Sequence, residues 1–160
     1  MSDNLLAEKV VNKMMDTDWF SKWLGIEPLV IKPGYCILQM TIRKEMLNGF
    51  AIAHGGITYS LADSALAFAA NSHGRMSLSV ETNISHIISL KEGDKIIAVD
   101  EEMSISNKFG VYQVTIKKDD DNKLEGTALV NASGDIIKEE AKIVALFKGT
   151  VYRTSKNWFE

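Results

Sequence analysis

The stretch that decides the fold runs Asn48-Gly49-Phe50-Ala51-Ile52-Ala53-His54-Gly55-Gly56-Ile57-Thr58-Tyr59-Ser60-Leu61-Ala62-Asp63-Ser64-Ala65-Leu66-Ala67-Phe68-Ala69-Ala70. From Ile57 onward it is rich in Ala and Leu, both strong helix formers. It is apolar almost all round, and a helix of that kind is buried rather than laid on a surface. Gly55 and Gly56 open the helix, and Asn71-Ser72-His73-Gly74 supplies its stop.

Working outward, the period changes from helical to two. Upstream, Cys36, Leu38, Met40 and Ile42 alternate with Ile37, Gln39, Thr41 and Arg43, the pattern of a half-buried strand. Pro33-Gly34 marks a turn before it. Earlier still, Leu6, Val10 and Met14 recur at four-residue spacing and predict an amphipathic helix over 5–16. Trp19, Phe20, Trp23 and Leu24 are expected to continue its apolar surface into the core, giving an N-terminal helical segment over 5–24 that Gly25 ends. Downstream of Gly74, Leu78, Val80, Thr82, Ile84 and His86 alternate with Ser77, Ser79, Glu81, Asn83 and Ser85. Strands are also predicted over 95–105, 111–117 and 142–153, separated by short turns. Asp119-Asp120-Asp121-Asn122 reads as an acidic turn, and 123–141 as an additional hairpin, together an insertion at about 119–141. The expectation is one α+β domain spanning 1–160: antiparallel strands joined by short turns, packed on one buried helix.

Composition narrows the function. Of the 160 residues, 46% are apolar and 24% charged, the balance of a globular chain and not of a disordered one. The net charge of −3 gives no basic excess to bind nucleic acid. No run of about eighteen apolar residues is present to span a membrane. The N-terminus lacks a basic segment followed by an apolar one, so a cytoplasmic protein is expected. Cys36 is the only cysteine, which excludes an internal disulfide and a cysteine-rich zinc site. The three histidines lack ligand spacing, and no metal is expected.

The unusual residues cluster between 48 and 63. Asp63 is a carboxylate flanked by Leu61, Ala62 and Ala65, and Asp is seldom buried without a partner. Burial raises the pKa of such a group, which makes it either a candidate functional acid or a structural partner for a nearby hydroxyl or amide. The first-turn N–H groups at Gly55 and Gly56 have no intrahelical acceptors and sit at the positive end of the helix dipole. They form either a plain loop-to-helix junction or a place to hold a developing oxyanion. His54 precedes them and is read as a structural hydrogen-bond partner or a polar group of the site. Asn48-Gly49 reads as a turn. His73 lies at the helix C-terminus, and His86 on a strand face is expected in the core or an interface.

Taken together, Asn48-x5-His54-Gly55-Gly56-x6-Asp63 on a buried helix resembles the hotdog-fold acyl-CoA thioesterases, and most closely their PaaI-type, phenylacetate-degradation subfamily. Leu61-Ala62-Asp63-Ser64-Ala65, Asn71-Ser72-His73-Gly74, Trp23-Leu24-Gly25, Val80-Glu81-Thr82, Gly93-Asp94 and Phe147-x-Gly149-Thr150-x-Tyr152-Arg153 match in type and order. Only 119–141, where the family has a short turn, departs from it. The resemblance implies an antiparallel sheet wrapped around the 55–70 helix. It also implies a homodimer or homotetramer in which Asp63 of one subunit faces Asn48, His54 and Gly55 of another.

The activity so implied is hydrolysis of an acyl-CoA thioester, with an aromatic or a short-to-medium acyl group. No cofactor is implied, because coenzyme A belongs to the substrate. The Gly55 N–H would polarise the carbonyl, with Asp63 as general base or nucleophile. His54 and Asn48 would orient the reacting groups. Gly56, Ser79 and Lys108 are candidate substrate contacts, Ser79 for water and Lys108 for a phosphate. Two alternatives are kept: an enoyl-CoA hydratase or dehydratase on the same fold, and a non-catalytic acyl-CoA-binding module.

Overall fold

A computed structural model of the chain describes residues 2–118 and 141–159. The acidic turn and nearly all of the hairpin expected at 119–141 therefore lie outside the described residues. Helix α1 (Asp3–Thr17) is capped by the Ser2 hydroxyl and buries Ala7, Val10 and Val11. Helix α2 (Trp19–Leu24) follows at once. Asp18 caps it by accepting from the Ser21 N–H at 2.9 Å, and Gly25 ends it in the left-handed conformation at φ 75°.

The aromatic cluster of α2 departs from expectation. Trp19, Phe20 and Trp23 are 73%, 54% and 49% exposed. In so short a helix only Ser21 and Leu24 reach the interior. The rings instead lie on the outside, where the Lys22 ammonium sits 4.6 Å over Trp19 and the Arg43 guanidinium 5.3 Å over Trp23.

Six strands form one sheet: β1 (Glu27–Lys32), β2 (Tyr35–Thr41), β3 (Arg75–His86), β4 (Lys95–Ile105), β5 (Phe109–Lys118) and β6 (Lys142–Asn157). Their order across the sheet is β1-β2-β4-β5-β6-β3, with every neighbouring pair antiparallel. Strand β1 was not legible in the sequence. It is a short edge strand with Pro28 inside it and Pro33 just after it, paired only with β2 and broken by a bulge between Pro28 and Val30. The alternation expected along β3 is interrupted too. Register shifts at Arg75/Ser77 and Ser79/Glu81 change which residues share a face, and Leu78 and Val80 stand exposed on this second edge strand.

Helix α3 (Gly55–Asn71) is the centre of the molecule and packs against all six strands. Its Leu61, Ala62, Ala65, Leu66, Phe68 and Ala69 are buried against Cys36, Leu38, Met40, Ile96, Ala98, Val114 and Phe147 of the sheet. Burying one such Leu or Phe side chain is worth roughly 1.5–3 kcal/mol. The approach is close at Gly149 of β6, where a Cβ would run into Leu66. A hydroxyl contact, Ser21 Oγ to Ser64 Oγ at 2.9 Å, ties α2 to the same helix.

Candidate active site

Both ends of the motif bear on α3, and the structure opens a separate cleft at each. At the helix start, a cleft of about 270 Å³ is lined by Asn48, Ile52, Ala53, Gly55, Thr58 and His86 through Leu90. Asn48 shapes the loop that enters it. Its side-chain oxygen accepts from the Phe50 N–H at 2.9 Å, and its own N–H donates to Ile52 O at 2.8 Å. The expected turn and the expected site residue are thus the same residue.

His54 is the N-cap of α3, accepting the Gly56 N–H on Nδ1 at 3.2 Å. Its main-chain oxygen accepts from Ile57 N–H at 2.8 Å. Among the described residues no acceptor meets the Gly55 N–H. The one first-turn donor left open therefore belongs to the residue that lines the cleft. That donor lies at the positive end of the helix, where an oxyanion is stabilised.

Sequence reasoning missed two groups here. His86 is exposed at the end of β3, not in the core, and its Nε2 would stand 3.1 Å from a Cβ on Gly55. Glycine is what lets the imidazole approach the helix start so closely. Thr58 holds the ring: its hydroxyl donates to Gly55 O at 3.1 Å and lies 3.1 Å from His86 Nδ1. Thirty residues of chain separate His86 from Gly55, so no local pattern could pair them.

The second cleft, about 380 Å³, is lined by Met14, Asp63, Leu66, Ala67, Asn71, Met76 to Ser79, Val151 and Trp158. It is mainly apolar, and among the described residues Asp63 is its only carboxylate. Burial pushes the Asp63 carboxyl above its ordinary value. Among the described residues no group hydrogen-bonds it, so the structural-partner reading finds no support. Ser79 shares the cleft with Asp63. Gly56 and Lys108 line neither cleft. Lys108 is exposed in the turn between β4 and β5, where its main-chain oxygen accepts from Arg153 N–H. Among the described residues no cluster of His, Cys, Asp and Glu could hold a metal ion, and no helix is long and apolar enough to cross a membrane.

The two clefts do not meet within one chain. Gly55 and Asp63 are eight residues apart on one helix, about 12 Å along its axis and about 80° around it. Reacting groups must come within about 3–3.5 Å of one another. One carbonyl cannot rest on the Gly55 N–H and be attacked beside Asp63 of the same chain.

Comparison with known proteins gives the family and the fold. The thioesterase superfamily pattern matches residues 50–125. A protein of Archaeoglobus fulgidus, named only provisionally as an esterase, is 33% identical over 153 residues, covering 96% of this chain and 86% of the relative. Acyl-coenzyme A thioesterase PaaI of Escherichia coli K12 is 29% identical over 140 residues, covering 88% of this chain and 86% of the relative. The solved structure of the E. coli PaaI protein, from the phenylacetic acid degradation operon, superimposes with a TM-score of 0.82 at 28% identity, over 98% of this chain and 99% of that one. The six-stranded antiparallel sheet on a central helix is thus the hotdog fold of PaaI, and the chain belongs to the thioesterase superfamily as a thioester hydrolase.

Proposed function

We propose that the protein hydrolyses acyl-CoA thioesters to the free acid and coenzyme A, at a site completed by two copies of the chain. The observation that carries this reading is the split of the catalytic groups: an open Gly55 N–H in one cleft and an unpartnered Asp63 carboxylate in another, too far apart to act on one substrate. Antiparallel pairing of β3 with β3 of a second copy would cover an open sheet edge that carries Leu78 and Val80. It would bring the Gly55 cleft of one copy toward Asp63 of the other.

In that site the Gly55 N–H polarises the thioester carbonyl, with Asn48, His54 and His86 around it. Water held near Ser79 attacks the carbonyl carbon and gives its proton to the Asp63 carboxylate. The C–S bond then breaks, and the coenzyme A thiolate leaves and is protonated. If Asp63 instead attacks directly, an anhydride forms and water cleaves it in a second step. Oxygen-18 incorporated into Asp63 in a single turnover marks the second route. An apolar acyl group, aromatic or short-to-medium aliphatic, suits the lining of the Asp63 cleft. Lys108 is a candidate for a coenzyme A phosphate, in which case Lys108→Ala removes the salt dependence of KM.

Thiol release from a panel of acyl-CoAs tests the activity, with loss of an enoyl-CoA chromophore without thiol release identifying a hydratase instead. Subunit mixing tests the shared site. Asp63→Asn and Gly55→Pro proteins, each inactive alone, recover about a quarter of wild-type activity when mixed as random dimers, because half the dimers then hold one intact site of two. No recovery in mixed dimers would place both groups in a single-chain site.

A further inference from the structure

We propose that Trp158 is a specificity-determining residue, the wall that sets how long an acyl group the Asp63 cleft accepts. This rests on the reading of that cleft as the acyl site. Trp158 follows the last strand, in a stretch that reads Thr154-Ser155-Lys156-Asn157-Trp158, and nothing in that polar run marks it as part of a site. The structure nevertheless fixes it on three sides. Its N–H donates to Gly74 O at 2.9 Å, and its main-chain oxygen accepts from Lys13 Nζ at 3.1 Å. Its indole Nε1–H donates to Asn71 Oδ1 at 2.7 Å.

Asn71 is itself immobilised. It is 2% exposed, its Oδ1 also accepts from Ser77 N–H at 2.9 Å, and its Nδ2 donates to Ala67 O at 2.9 Å and Ser77 O at 3.0 Å. All four hydrogen-bonding positions of the amide are therefore filled. An indole bonded to such a group keeps one orientation.

That indole lines the same cleft as Asp63, together with Leu66, Met14, Met76 and Leu78. The methionines are adaptable and can mould to different acyl shapes. The indole is large, flat and held, so it cannot move aside for a longer chain. The reacting carbonyl lies beside Asp63, and the acyl group runs along the apolar lining until it meets Trp158. The limit on acyl length is thus set by a residue that never touches the reacting atoms.

The test is a straight-chain series of acyl-CoAs from acetyl to hexadecanoyl, measured with wild-type, Trp158→Ala and Trp158→Phe proteins. A methylene correctly or wrongly seated in an apolar pocket is worth roughly 10-fold or more. We expect Trp158→Ala to move the optimum by at least two carbons toward longer chains. The kcat/KM ratio of long to short substrates should rise about tenfold, chiefly through KM, with acetyl-CoA changed by less than about twofold. Trp158→Phe keeps a ring in the wall but loses the bond that holds it, so its optimum should lie between those of wild type and Trp158→Ala. A loss that is equal for every chain length, or an optimum that does not move in Trp158→Ala, would assign Trp158 to the scaffold and overturn the proposal.

The same series is measured as binding, each acyl-CoA against free coenzyme A, by calorimetry on the Asp63→Asn protein. If wild-type protein releases no thiol from any substrate, the hydrolase reading fails. The wall then stands or falls on whether Trp158→Ala shifts the length dependence of binding.

Discussion

Two aspartates, one on α3 and one on the sheet beneath it, meet opposite fates. Asp63 lies on the helix and opens into a cleft; Asp100 lies on β4, points at the helix from beneath and is 0% exposed. Burial raises both carboxyls, Asp100 the more strongly. Its cross-strand neighbours are Cys36 and Val114, and neither of its oxygens finds a hydrogen-bond partner. The Glu101 amide lies near enough to favour the charged form slightly, without meeting hydrogen-bond geometry, while the Glu101 and Glu102 carboxylates oppose it. The same physical cause thus perturbs a carboxyl that opens into a cleft, where it is a candidate for chemistry, and one sealed in the core, where it is a cost in stability.

The comparison breaks most sharply at Asp63. Asp63→Asn is expected to lower kcat at least 100-fold, within the range for loss of general base catalysis. The oligomer should be unchanged by sedimentation and the melting temperature unchanged to within a few degrees. Because the raised carboxyl must be ionised to act, wild-type kcat falls as pH is lowered. The acid limb should lie above the ordinary Asp value of about 3.9. Near-normal turnover in the variant would remove Asp63 from the chemistry.

Asp100 should respond in the opposite sense. A carboxyl whose folded pKa is raised favours the fold fully below its unfolded pKa of about 3.9, and that contribution is lost as pH rises through the folded value. Wild-type protein is therefore expected to lose stability relative to Asp100→Asn as pH increases from about 4 to 8. At pH 8 the variant should be the more stable, because it puts a neutral amide where wild type holds a buried, unpaired carboxylate. Chemical denaturation of both proteins across that range reads the difference directly. Equal slopes with pH would mean that Asp100 is solvated in the native protein. Turnover per folded subunit should not change.

The smallest effect is expected from Ser79, which borders the Asp63 cleft without bonding its carboxylate. Ser79→Ala should lower kcat by no more than about tenfold and leave KM within twofold, since water retains the carboxylate itself as a base. A loss as large as that of Asp63→Asn would make the pair a single catalytic unit.

The two aspartates also show what a sequence can and cannot disclose. Asp63 stands out because everything beside it is Leu or Ala. Asp100 opens the run Asp100-Glu101-Glu102 in the middle of the strand predicted over 95–105, and nothing in that run sets it apart from its two acidic neighbours. Only the pairing of β4 between β2 and β5 turns Asp100 inward. Helix α3 and the period-two strands after it were legible because each carries its own local pattern. Strand β1 was not, because six residues with a proline among them and another just after hold too little pattern. The α2 aromatics were misplaced because apolar composition does not say which side of a short helix meets the core. In the site, the Gly55–Asp63 spacing could be read along one helix. His86 arrives on a distant strand and Trp158 just beyond the end of another, and only the tertiary fold brings them in.

The hydrogen bonds at the start of α3 also bear on where two protons reside. His54 accepts on Nδ1, so its neutral ring is the Nε2–H tautomer. Thr58 Oγ1 lies 3.1 Å from both Gly55 O and His86 Nδ1 and has one proton to give. Given to Gly55 O, it leaves His86 to donate from Nδ1 with Nε2 bare; given to His86, it makes Nδ1 the acceptor and Nε2 the donor. One imidazole beside Gly55 thus has its tautomer set by the helix cap, and the other by where a single threonine proton points.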